Sequence, residues 1–119
     1  AVCIGEQQSE IDHNFAGEKT QTGEYGGRNW RQAKDRGWFA YDLPVDGGAP
    51  CELVATYLGS DGGDRRFDIL VNDQVIATQQ LERERPGEFF DVVYAIPETL
   101  TRGKSSVRIT FRAHPGQTA

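Results

Sequence analysis

The residue types best suited to chemistry gather in GGRNWRQAKDRGWFAYDL, residues 26–43. This stretch holds both tryptophans of the chain, Trp30 and Trp38, beside Arg28, Arg31, Lys34 and Arg36. Sugars present C–H faces that pack on aromatic rings, and Arg and Asn can bond the hydroxyls. Tyr25, Trp30 and Arg31, with His13 and Asn14 upstream, are therefore the candidate ligand-binding or interface residues, centred on Trp30. The competing reading is structural. Trp38 opens an apolar run and would be buried with Phe39 or Tyr41, while Trp30 would cover an open end of the fold. The expectation is core for Trp38 and interface for Trp30, facing either a partner domain or a glycan.

Other chemistries find less support. The two histidines, His13 and His114, have no G-x-S-x-G elbow to serve. Ser9 and Asp12 are only sequence neighbours of His13, which otherwise reads as a capping or surface histidine. A glycosidase needs two carboxylates across a cleft. Glu10, Asp12, Glu18 and Glu24 are available, but their spacing singles out no pair. DGGD, residues 61–64, offers oxygen ligands for a hard cation without the spacing of an EF-hand; a hairpin turn explains it better. Cys3 and Cys51 lie too far apart for the close ligand pairs of a zinc site. One disulfide and two buried thiols both fit them, and Cys51 reads as structural. No catalytic residue, metal ligand or cofactor is expected.

The bulk numbers narrow the class. A chain of 119 residues is one domain with a modest core. It contains no methionine, even at position 1, so an excised or processed piece is expected. The formal charge of −5 argues against a nucleic-acid partner, since neutralising phosphates needs clustered positive charge. No apolar run approaches the roughly 20 residues of a membrane helix, so no membrane partner is expected.

The elements that must position these residues are strands. CELVATYL carries apolar groups on both faces and reads as well buried. RFDILV and QVIATQQL flank Asn72-Asp73, a hairpin pattern. EFFDVVYAIP is aromatic and β-branched, and Pro97 ends it. ETLTRGK suits a turn or one helical turn. SSVRITFRAH alternates cleanly, with Val107, Ile109, Phe111 and Ala113 on one face. WFAYDLPV, residues 38–45, is a further strand ending at Pro44. Before it, residues 1–37 are polar and Gly-rich and read as an irregular wrapping segment, with one or two helical turns in RNWRQAKD. The expected fold is all-β: an antiparallel, jelly-roll-like β-sandwich with a loop-rich N-terminal third and its main strands in residues 38–119.

Several segments together carry a resemblance. SEIDHNF, the GE-x-T-x-TG run of residues 17–23, NWR-x-A, GWFAYDL and FDILVN resemble the C-terminal β-sandwich of bacterial glycoside hydrolases related to β-L-arabinofuranosidases. The resemblance covers nearly the whole chain. It implies a non-catalytic accessory domain packing on a separate catalytic α/α barrel, in a secreted or periplasmic enzyme, with oligosaccharide as a further partner. The barrel's catalytic cysteine and zinc cluster have no counterpart in Cys3 or Cys51. In such proteins the chain runs on past the segment matching AHPGQTA into a final strand. The resemblance thus implies an exposed sheet edge here and self-association through it.

Overall fold

Apolar residues alternating with a period of two drive the chain into strands wherever one face can be buried. The computed structural model describes residues 4, 7–58, 64–82 and 87–119. Its elements run α1 (Gln7–Asp12), β1 (Ala16–Tyr25), β2 (Arg28–Pro44), β3 (Cys51–Leu58), β4 (Arg65–Val71), β5 (Gln74–Leu81), β6 (Phe89–Ile96), α2 (Glu98–Thr101) and β7 (Ser106–Ala113). A five-stranded sheet has the order β1-β2-β7-β4-β5, and β3 pairs with β6 in a two-stranded sheet. Every strand pair is antiparallel. The chain crosses between sheets from β2 to β3, β3 to β4, β5 to β6 and β6 to β7. The fold is the expected antiparallel β-sandwich, with jelly-roll-like crossings.

The core lies between the sheets. Phe39 and Tyr41 of β2, Phe67, Ile69 and Val71 of β4, and Val107, Ile109 and Phe111 of β7 face Leu53, Ala55 and Ile96 of the smaller sheet. Phe39 stacks on Phe111 with ring centroids 5.2 Å apart, and Phe67 meets Tyr57 at 5.7 Å. The β4–β5 hairpin forms as its sequence predicts. Asn72 and Asp73 take φ of 47° and 69°, the paired positive values of a type I′ turn.

The N-terminal third departs from expectation. Residues 16–37 are not irregular, and RNWRQAKD is strand rather than helix. They build a long hairpin whose period is broken by a bulge. Register jumps from Glu18↔Trp38 to Thr20↔Ala33, so Lys19 alone opposes residues 34–37. Lys19, Asp35 and Arg36 all take positive φ. Trp38 also differs from its expected place. Alternation turns Phe39 and Tyr41 inward, leaving Trp38 half-buried and in register with Glu18 and Arg112. Val54, expected to be buried, is exposed because β3 has one face in solvent. β3 and β4 occupy different sheets, and the turn expected at DGGD falls between them. Residues 61–63 and Cys3 lie outside the described residues; Cys51 is a free thiol at the start of β3.

The bulge is anchored by the residues after β7. Asp35 N–H donates to the Gln117 carbonyl at 2.8 Å, and Ala119 N–H donates to Ala33 O at 2.8 Å. Thr118 N–H reaches Asp64 O at 2.6 Å, tying the same segment to the start of β4. The ladder groups beyond β7 are therefore satisfied within the chain, and the outer strands of the large sheet are β1 and β5. Gly37 closes the bulge. A Cβ there would lie 2.6 Å from Lys34 O and 2.8 Å from Glu18 O, both backbone atoms. Gly37→Ala is expected to destabilise the fold by about 1–3 kcal/mol, read as a lower urea midpoint; an unchanged midpoint would show that the bulge yields.

Candidate functional site

The largest concentration of polar chemistry lies where α1 covers the β1–β2 hairpin. A helix of six residues is too short to hold itself together in water. Its tether is Glu10, which is only 4% exposed. Arg31 of β2 grips the Glu10 carboxylate through both arms of its fork, Nε to Oε2 at 2.7 Å and Nη2 to Oε1 at 2.6 Å. The remaining arm donates to Thr20 Oγ1 at 2.7 Å. The Tyr41 hydroxyl donates to Glu10 Oε2. The Arg31 guanidinium lies 4.2 Å from the centroid of the Phe15 ring, which itself packs on Tyr41.

The electrostatics follow from this geometry. The hydrogen bond to Glu10 raises the Arg31 pKa, against the opposing effect of burial. Burial, and then the hydrogen bond to Glu10, push the Tyr41 phenol well above its ordinary value. Arg31 therefore stays charged and Tyr41 stays protonated. Glu10 is committed as an acceptor to a guanidinium and a phenol, an arrangement that positions and stiffens. An open cleft of ≈ 420 Å³ lies beside it, lined by Gln7, Glu10, Ile11, Phe15, Thr22 and Arg31.

His13 and Asn14 finish the same tether. His13 Nδ1 lies 2.7 Å from Ser9 O, the expected capping role. Its main-chain oxygen accepts from Asp42 N–H at 2.7 Å. Asn14 donates from Nδ2 to Asp42 Oδ2 at 2.8 Å, and its carbonyl accepts from Arg108 Nη1 at 2.8 Å. Arg108 also pairs with Asp42 at 3.0 Å. The end of α1 is thus bolted to β2 and β7.

Trp30 and Tyr25 stand elsewhere. Trp30 and Arg31 are successive residues of β2, so their side chains leave opposite faces of the strand. The indole of Trp30 lies over its cross-strand partner Gly23, where a Cβ would meet its Cζ2 at 2.2 Å. Tyr25, 44% exposed, sits near the hairpin tip against Phe89, whose ring also receives the Arg28 guanidinium at 4.7 Å. The five expected site residues therefore do not converge on Trp30. His13, Asn14 and Arg31 serve the α1 tether, and strand alternation separates them from Trp30. Glu10 was one of four candidate carboxylates in the sequence, but its pairing with Arg31, and the parts played by Phe15, Thr20 and Tyr41, leave no spacing signal.

A second polar group lies on the outer face of the large sheet. Asp68 accepts from Thr78 Oγ1 at 2.7 Å and meets His114 Nε2 at 2.7 Å, with Arg112 at 3.8 Å. Burial alone would raise the Asp68 pKa, but His114, Thr78 and Arg112 together hold it below the usual carboxylate range. Bonds from Asn14 and Arg108 lower that of Asp42. Depressed carboxylates stabilise the fold above the unfolded Asp value and lose that contribution as pH falls through the folded values. The melting temperature is expected to hold steady between about pH 7 and pH 5 and to fall below about pH 4. Asp42→Asn and Asp68→Asn should each flatten the acid limb; unchanged limbs would remove these carboxylates from the account.

Among the described residues, no cluster of three His, Cys, Asp or Glu side chains could hold a metal ion, and no helix is long and apolar enough to cross a membrane. A family model described as "Family of unknown function (DUF6805)" matches residues 1–119. No curated protein matches the chain.

Proposed function

The chain belongs to this family of unknown function along its whole length, and from that premise we propose that it is a non-catalytic β-sandwich module that packs on a separate domain of a larger protein. The resemblance to the C-terminal sandwich of arabinofuranosidase-related glycoside hydrolases supplies the partner: a catalytic α/α barrel. The observation that carries this reading is the solvent face of the smaller sheet. Val54 and Val93 are register partners on β3 and β6 and are 56% and 55% exposed. Leu58 and Phe89, the pair at the end of the same ladder, are half-buried. Adjacent exposed valines on a sheet face suit a dry contact with another domain better than they suit water. Among the described residues β3 and β6 pair only with each other, so each also offers one edge to a partner.

Hydrogen–deuterium exchange of the isolated domain, compared with the domain in its complete natural polypeptide, tests the reading. β3 and β6 should exchange more slowly in the complete polypeptide. Val54→Glu with Val93→Glu should remove that protection while leaving the isolated domain's melting temperature nearly unchanged. Equal exchange of β3 and β6 in both contexts would overturn it.

A further inference from the structure

We propose that the outer face of the five-stranded sheet is a binding face for neutral saccharide, centred on Trp38 and Arg112. Register places Glu18, Trp38, Arg112, Asp68 and Thr78 side by side in one row across β1, β2, β7, β4 and β5. The neighbouring row is Ala16, Ala40, Thr110, Leu70 and Val75; Ala40 and Leu70 are buried in it and Val75 is exposed at its β5 end. Beyond it stand Asp42 and Arg108. This largely apolar row thus runs between two polar rows, one of which carries an indole.

The chemistry of the first row selects the ligand. The Trp38 side chain makes no hydrogen bond or ring contact among the described residues, and the residue is half-buried, so part of its ring surface remains available for C–H packing. Arg112 is 46% exposed, and its one charged partner, Asp68, stands at 3.8 Å. That separation is too long for a hydrogen bond, so the guanidinium fork keeps its N–H donors. Asp68 carries acceptor oxygens beside it, oriented by Thr78 and His114. A donor fork next to an oriented carboxylate matches a vicinal pair of hydroxyls, which both donate and accept. Charge decides between ligand classes. Arg112 is balanced by Asp68, and Arg108 by Asp42. Alternation also puts the exposed Arg66 on this face, two residues from Asp68, and Glu18 offsets it, so the face has no surplus positive charge to attract an anion. A neutral chain of sugars satisfies this surface, whereas a phosphate or uronate does not.

This face lies on the opposite side of the sandwich from Val54 and Val93, and the proposal stands or falls independently of docking there. Isothermal titration of the domain with neutral cello-, xylo- and arabino-oligosaccharides tests it. The same titrations followed by tryptophan fluorescence in Trp30→Phe isolate the signal of Trp38. Saturable binding with a change in that signal is expected. Arg112→Ala should weaken binding by about tenfold or more, as expected for a lost charged hydrogen bond. Trp38→Ala should abolish it. Arg112 is exposed enough to be removed without unfolding the domain, so its variant decides the matter if Trp38→Ala folds poorly. Absence of any binding at millimolar sugar would overturn the proposal. Binding that survives Arg112→Ala unchanged would do the same, as would a preference for anionic over neutral chains.

Discussion

Arg31→Ala is expected to lower the unfolding free energy by about 3–5 kcal/mol, because it strands a buried carboxylate without its cation. Glu10 is 4% exposed and would keep only Tyr41 among the partners described above. Neutralising it by proton uptake would relieve part of the cost near neutral pH and more at low pH. The melting temperature should fall by on the order of 10–20 °C for a domain of this size. Arg31→Lys keeps the charge but loses the fork, and should fall between wild type and Arg31→Ala. The double variant Glu10→Leu/Arg31→Leu should recover much of the loss, since apolar replacement of a whole buried pair is often neutral or better. Differential scanning calorimetry checks the series. A melting temperature for Arg31→Ala within about 2 °C of wild type would mean that the pair contributes nothing net to stability.

Phe67→Ala should cost about 3–5 kcal/mol, the usual range for truncating a buried aromatic ring. Phe67 is almost fully buried, with Tyr57 and Phe111 against it from two sides. The space left behind is walled by strands of both sheets and cannot collapse without breaking ladders. The instructive comparison is Trp38→Ala. Trp38 is the larger residue, yet it stands half-buried on the outer face, so its loss should cost only about 1 kcal/mol. Chemical denaturation of the two variants should therefore rank Phe67 above Trp38. The opposite order would place Trp38 in the core after all.

Much of the C-terminal two thirds was legible from alternation and turn chemistry. Val107, Ile109 and Phe111 announce β7 through alternation alone, and Asn72-Asp73 announces its turn. The first third concealed itself for a physical reason. β1 turns Thr20 and Thr22 toward α1, where other strands turn Val or Ile toward the core, and β2 turns Arg31 there. The cover over that end of the sheet is an ion pair and a phenylalanine, so no apolar period marks it. The bulge at Lys19 and residues 34–37 then breaks whatever period remained. Strand β3 misled differently. CELVATYL is apolar on both faces, and nothing in it tells which valine or leucine meets the core. The candidate site was legible by residue type and not by direction. Trp30 and Arg31 were grouped because they are neighbours in sequence, which in a strand is what keeps them apart.

The clasp between the bulge and the segment after β7 also bears on how the chain reaches this state. Residues 33–35 cannot complete their ladder until residues 117–119 arrive, and β7 must slot between β2 and β4, already made by then. The two hairpins, β1–β2 and β4–β5, close over short loops and should appear early. Everything that joins them is non-local, and closing such long loops before any contact rewards them is slow. During synthesis on the ribosome the domain must therefore wait, with its β2 and β4 flanks open, until its last residues emerge.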